Sequence, residues 1–144
     1  MKIMARIGRV FALSVMAGAL AVAGGSAQAK PRLTGEEQLA KLLEGREAGA
    51  PVDCISTVAN SSTQVIDKTA IVFGSGRTIY VQRPKTGADQ LDDDDVLVTK
   101  LNSPQLCSID VIQLHDRSML HMWKGFVGLD KFVPYTRVSP AKAH

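Results

Sequence analysis

Beyond Pro51 this 144-residue chain offers no second helix, and that constrains its fold more than any motif. Parallel strands need a crossover of roughly a dozen residues or more, usually a helix. Here, short strand-like runs follow one another with only turns between them. Val52 to Ile55 is the first, and Val65-Ile66 follows the loop Asn60-Ser61-Ser62 and leads into an Asp67-Lys68 turn. Ala70 to Phe73 and Thr78 to Gln82 are rich in β-branched and aromatic residues. Gly74-Ser75-Gly76-Arg77 joins them, which is a hairpin pattern. After the loop from Pro84 to Asp89, Val96 to Leu101 is a further strand, ended by Asn102-Ser103-Pro104. Leu106 to Leu114 is the longest strand candidate, and Gly125 to Val133 reads as a final extended segment with Gly bends. Such a series of five to seven strands favours antiparallel pairing.

One helix precedes them. Thr34-Gly35-Glu36-Glu37 is a capping box, with Thr34 as N-cap and Glu37 three residues on. Leu39, Leu42 and Leu43 recur at helical spacing, and Gly45 stands where a left-handed cap belongs. The expected helix runs from Gly35 to Glu44. The fold class is therefore α+β: a short N-terminal helix packed on a curved antiparallel sheet or a partly open barrel.

The first 29 residues set the destination. Lys2, Arg6 and Arg9 precede a charge-free apolar run from Val10 to Ala23, and small residues lead to Ala27-Gln28-Ala29. This is the pattern of a secretory signal peptide cut after Ala29. Retention as an anchor is the alternative, but a spanning helix needs about 20 apolar residues, and this run nears that length only by counting Gly24, Gly25, Ser26 and Gln28. The expected organisation is a signal peptide over 1–29, a single globular domain over 30–138 and a disordered tail over 139–144. No later segment is apolar enough to span a membrane. The expected setting is an oxidising compartment outside the cytoplasm.

Cleavage also changes the charge. The chain has 17 Lys and Arg and 14 Asp and Glu. The three basic leader residues leave 14 of each sign in the mature part. Bulk charge then gives no reason to expect nucleic-acid or anionic-membrane binding.

Cys54 and Cys107 are the two cysteines. In an exported chain they read first as one disulfide, with unpaired thiols or a reactive or metal-bound pair as alternatives. Their separation rules out a redox C-x-x-C motif.

The segments Pro51-Val52-Asp53-Cys54-Ile55, Thr69 to Val72, Thr78 to Val81, Asp93 to Val98 and Gln105-Leu106-Cys107 resemble a family of small exported proteobacterial proteins, the domain of unknown function DUF6491. The resemblance covers about Leu39 to Tyr135. It implies a periplasmic or secreted setting in a bacterium and a paired-cysteine framework, and it brings no activity, ligand or catalytic residue.

Two clusters could hold a metal. Asp92, Asp93, Asp94 and Asp95 form an acidic run that could meet a hard cation such as Ca²⁺, which takes six to eight oxygens. The run lacks the Gly at its sixth position, where Leu97 stands, so it is no EF-hand loop. We read it as a solvated acidic turn that also guards a strand edge. His115, Met119, His121 and Met122 offer imidazole and thioether ligands of the kind copper takes. Their spacing matches no defined motif, and loop or core packing is the preferred reading. The aromatic residues, Trp123 and Phe126 included, are read as core.

No catalytic set emerges. Gly74-Ser75-Gly76 is one residue short of a nucleophile elbow on each side of the serine. The same stretch has Ile79 where a dinucleotide fingerprint needs its third glycine. Asp110, Asp116 and Arg117 fit turn chemistry and surface pairing better than acid–base work. The expectation is a non-catalytic exported interaction module without a cofactor, its partner a protein or envelope component. The alternative is a metal- or small-ligand-binding protein that uses one of the two clusters.

Overall fold

The helix forms where the capping box places it. Thr34 Oγ1 accepts the Glu37 amide at 3.3 Å, and the Glu37 carboxylate accepts the Thr34 amide at 2.7 Å. α1 spans Gly35–Leu42, two residues short of the expected end. Leu43 is already the cap, and Gly45 takes a φ of 70° that turns the chain away. The computed structural model describes residues 31–119 and 122–139. The leader with Ala27 and Ala29, residue His121 and the tail from 140 lie outside the described residues.

Ten strands follow among the described residues: β1 (Arg46–Ala48), β2 (Cys54–Ser56), β3 (Thr63–Ile66), β4 (Ala70–Phe73) and β5 (Thr78–Gln82), then β6 (Val96–Val98), β7 (Gln105–Cys107), β8 (Val111–His115), β9 (Trp123–Gly128) and β10 (Phe132–Arg137). Every pairing is antiparallel, as strands joined by short turns should be. The strands make three sheets, with orders β1-β10-β5-β4-β3, β2-β7 and β6-β8-β9. They do not close into a barrel. Among the described residues no helix is long and apolar enough to cross a membrane.

Alternation along the central strands divides the core. Ala70 and Val72 of β4, with Ile79 and Val81 of β5, face Leu39 of the helix. Ile71 and Phe73 point the other way, into a larger cluster. There they meet Ile55 and Leu106 of the two-stranded sheet and Ile112, Leu114 and Val127 of the three-stranded one. A strand covered on both faces is apolar throughout, which is why β4 reads Ala-Ile-Val-Phe.

Three expected strands differ. Leu106 to Leu114 is cut in two because Asp110 builds a turn. Its carboxylate accepts the Cys107 amide at 2.7 Å, and its own amide donates to the Cys107 carbonyl at 3.0 Å. Ile109, within that turn, is 86% exposed despite its strand propensity. The segment Gly125 to Val133 divides into the end of β9 and the start of β10. Val96 to Leu101 stops at Val98. β1 lies in what the sequence marks as a loop, since its short polar run carries no alternation.

The cysteines sit on strands, as expected, and directly opposite one another in the β2–β7 pair. Ser108 donates to the Asp53 carbonyl at 2.7 Å and Thr57 to the Pro104 carbonyl at 3.0 Å. Those hydrogen-bonded positions leave Cys54 and Cys107 at a non-hydrogen-bonded one, where facing Cα atoms come closest. Their Cα atoms are 4.0 Å apart and the two are joined in a disulfide.

Candidate functional site

The acidic run forms a turn at the entrance to β6, and its four carboxylates have four different surroundings. The Asp95 side chain is fully buried. One of its oxygens lies 2.5 Å from Lys124 Nζ, and the other accepts the Asp92 amide at 2.9 Å. Asp92 accepts the Asp94 amide at 3.2 Å. Asp94 pairs with Arg117 at 3.6 Å. Asp93 donates its amide to the Asp67 carboxylate at 2.7 Å. The expected turn is present, but Asp95 is its buried post.

Asp67 is the residue that sequence reading misses. It lies 26 positions before Asp93, in the turn after β3. The Lys68 amide docks that turn on the Leu91 carbonyl at 3.0 Å. As a result Asp67, Asp92 and Asp93 each bring a carboxylate oxygen within 4.8 Å of the others. The amide of Asp94 and then the charge of Lys124 hold Asp92 below the usual carboxylate range. Asp93 is pushed above it, first by the charge of Asp67.

The sign of that shift gives a prediction. A carboxylate with a raised folded-state pKa opposes folding when ionised. Asp93→Asn is therefore expected to raise the melting temperature slightly at neutral pH. The gain should vanish below the carboxylate range, where Asp93 is protonated in both states, and shrink in high salt. Thermal melts of both proteins across pH check this. An unchanged difference at acid pH would contradict the charge explanation.

Of the second cluster, His115 ends β8 with its Nε2 3.4 Å from Gln113 Oε1. Met119 and Met122 are exposed, and His121 lies outside the described residues. Asp116 caps the loop by accepting the Ser118 and Met119 amides at 2.7 and 3.0 Å, which keeps it a structural acid. The disulfide consumes both thiols, which removes a cysteine nucleophile. Gly74-Ser75-Gly76 is the β4–β5 hairpin loop, where Gly74 supplies a φ of 85°.

The three-stranded sheet departs most from the sequence reading. Leu97, Ile112, Leu114 and Val127 face the core. Across the register, Val96, His115 and Trp123 form one outward row, and Val98, Gln113 and Phe126 form the next. Trp123 and Phe126 are three residues apart, a spacing that should place them on opposite faces. A bulge opposite Leu114 and His115 inserts Lys124, and the extra residue returns both rings to one side. The same bulge aims Lys124 at Asp95. The rings lie 6.5 Å apart with planes 19° from parallel. Trp123 is 58% exposed and Phe126 50%. The core reading of the aromatics holds for Phe73 and Phe132 and fails for these two.

Comparison of the chain with protein-family models, with curated proteins and with solved structures finds no match.

Proposed function

We propose that this chain is an exported, non-catalytic interaction module that binds a protein or envelope component through the outer face of its three-stranded sheet. The observation that carries the proposal is the parallel, half-exposed pair Trp123 and Phe126. Exposed aromatic side chains grouped on one face are what interface cores are made of. Val98 and Val111, outward on the same sheet, extend that apolar surface. A patch of that kind on a small domain marks a contact site more often than an accident of packing. The leader pattern, the disulfide and the resemblance to the DUF6491 proteins support the exported setting.

A photoreactive benzophenone side chain at position 126, in the full chain made by the exporting cell, tests the reading. The expected result is a discrete cross-linked species that disappears when Trp123→Ser is added. A control probe on the helix, at Lys41, should give none. Smearing at both positions, or no product at 126, would defeat the proposal.

A second reading has its own observation. Asp67, Asp92 and Asp93 offer three oxygens to a hard cation, with water completing the shell. Millimolar Ca²⁺ would then raise the melting temperature of the wild type and leave Asp93→Asn unmoved.

A further inference from the structure

The edge of the five-stranded sheet carries a separate feature. β3 is an outer strand, paired with β4 alone. Gly74 donates to the Ser62 carbonyl at 2.7 Å, which makes that pair a hydrogen-bonded one. Alternation then gives Gln64 and Ile66 the ladder bonds to Val72 and Ala70, and turns the amides and carbonyls of Thr63 and Val65 outward. Among the described residues no hydrogen bond reaches those outward groups.

They border a groove of about 440 Å³ whose far wall includes Leu97 of β6 and Arg117. Asp93 lines the groove as well. Beside it is Asp67, one residue past the end of β3. Among the described residues neither carboxylate is in an ion pair. A bare strand edge is ordinarily blunted by charge, proline or a bulge. Over Thr63-Gln64-Val65, β3 has none of these.

We propose that β3 accepts an extended peptide as an added strand, and that a Lys or Arg of that peptide meets the Asp67–Asp93 pair. Backbone pairing to Thr63 and Val65 would give affinity, and alternate side chains would enter the groove. The two like-charged carboxylates select a basic peptide, because a cation between them relieves their repulsion. This site is distinct from the aromatic face: Leu97 lies on the core side of the sheet whose outer side carries Trp123 and Phe126.

The probe is acetyl-Lys-Thr-Val-Thr-Val-Lys-amide, added to ¹⁵N-labelled full-length protein recovered from its exported compartment. Amide resonances of Thr63 and Val65 are expected to shift saturably at millimolar peptide, with Trp123 and Phe126 unmoved. Replacing the peptide lysines with glutamate should weaken binding about tenfold or more at low salt. Asp67→Asn together with Asp93→Asn should erase that preference. Thr63→Pro removes an outward amide that β4 does not use, so it should fold normally and bind less. Shifts confined to the Trp123 face, or none, would overturn the proposal. So would Thr63 and Val65 shifts that track protein concentration without peptide, since they would assign the edge to a second copy.

Discussion

Replacing Cys54 and Cys107 together by alanine is expected to cost about 4 kcal/mol of unfolding free energy. The bond spans 53 positions, so it removes much of the freedom of the unfolded chain. A loss of that size is comparable with the whole stability of a small domain. The folded side of the argument agrees. β2 and β7 are three residues each, and a lone two-stranded ribbon is marginal in water. The disulfide ties the two strands to each other, and Ile55 and Leu106 are the side chains that this ribbon buries in the core. Urea unfolding of the double variant should show a lower midpoint, and a steeper dependence on urea because the unfolded chain expands. A change below about 1 kcal/mol would show that the chain-entropy account does not apply here.

The effect should reach the proposed binding face. β7 runs into β8 through the Asp110 turn, and β8 is the middle strand beneath Trp123 and Phe126. Loosening β7 removes the fixed end of that turn. Reductant is therefore expected to weaken cross-linking from position 126 before the protein unfolds globally. A disulfide-free variant that cross-links normally would separate the staple from the function.

What was legible in the sequence was local. The capping box fixed α1 because Thr34 and Glu37 bond each other across three residues. The β4–β5 hairpin was legible because Gly74 and the flanking β-branched residues leave the chain few alternatives. The antiparallel class followed from the lack of crossover helices. Strand ends were not legible where a side chain makes a turn, as Asp110 does inside an apolar run. Nor was the division into three sheets, which depends on which faces meet in the core.

The candidate sites show the same boundary. The acidic run was visible as a turn, but its buried member and its partner Asp67 were not. The first depends on Lys124, 29 positions on, and the second on docking across 26 positions. The aromatic face was hidden for a sharper reason. Its existence rests on one extra residue, Lys124, and a bulge leaves no signature in composition or period. By strict alternation Phe126 belongs with the core side and Trp123 with the other.

The bulge makes two phenylalanines of one chain into opposite cases. Phe132→Ala is expected to cost about 4 kcal/mol. Its ring is completely buried and meets Phe73 edge-on at 5.8 Å. Its backbone exchanges bonds with Val52 at 2.8 and 2.9 Å, so the main chain is held in place and cannot collapse readily into the cavity. Phe126→Ala deletes the same atoms from a half-exposed face and should change stability by no more than about 0.5 kcal/mol. Denaturant midpoints for the two variants, measured side by side, compare like with like. If Phe126→Ala also costs several kcal/mol, its ring belongs to the core, the outer face is not a surface, and the binding proposal falls with it. A large cost at 132 and almost none at 126 would mean that the exposed rings do little for folding, as expected of side chains that wait for a partner.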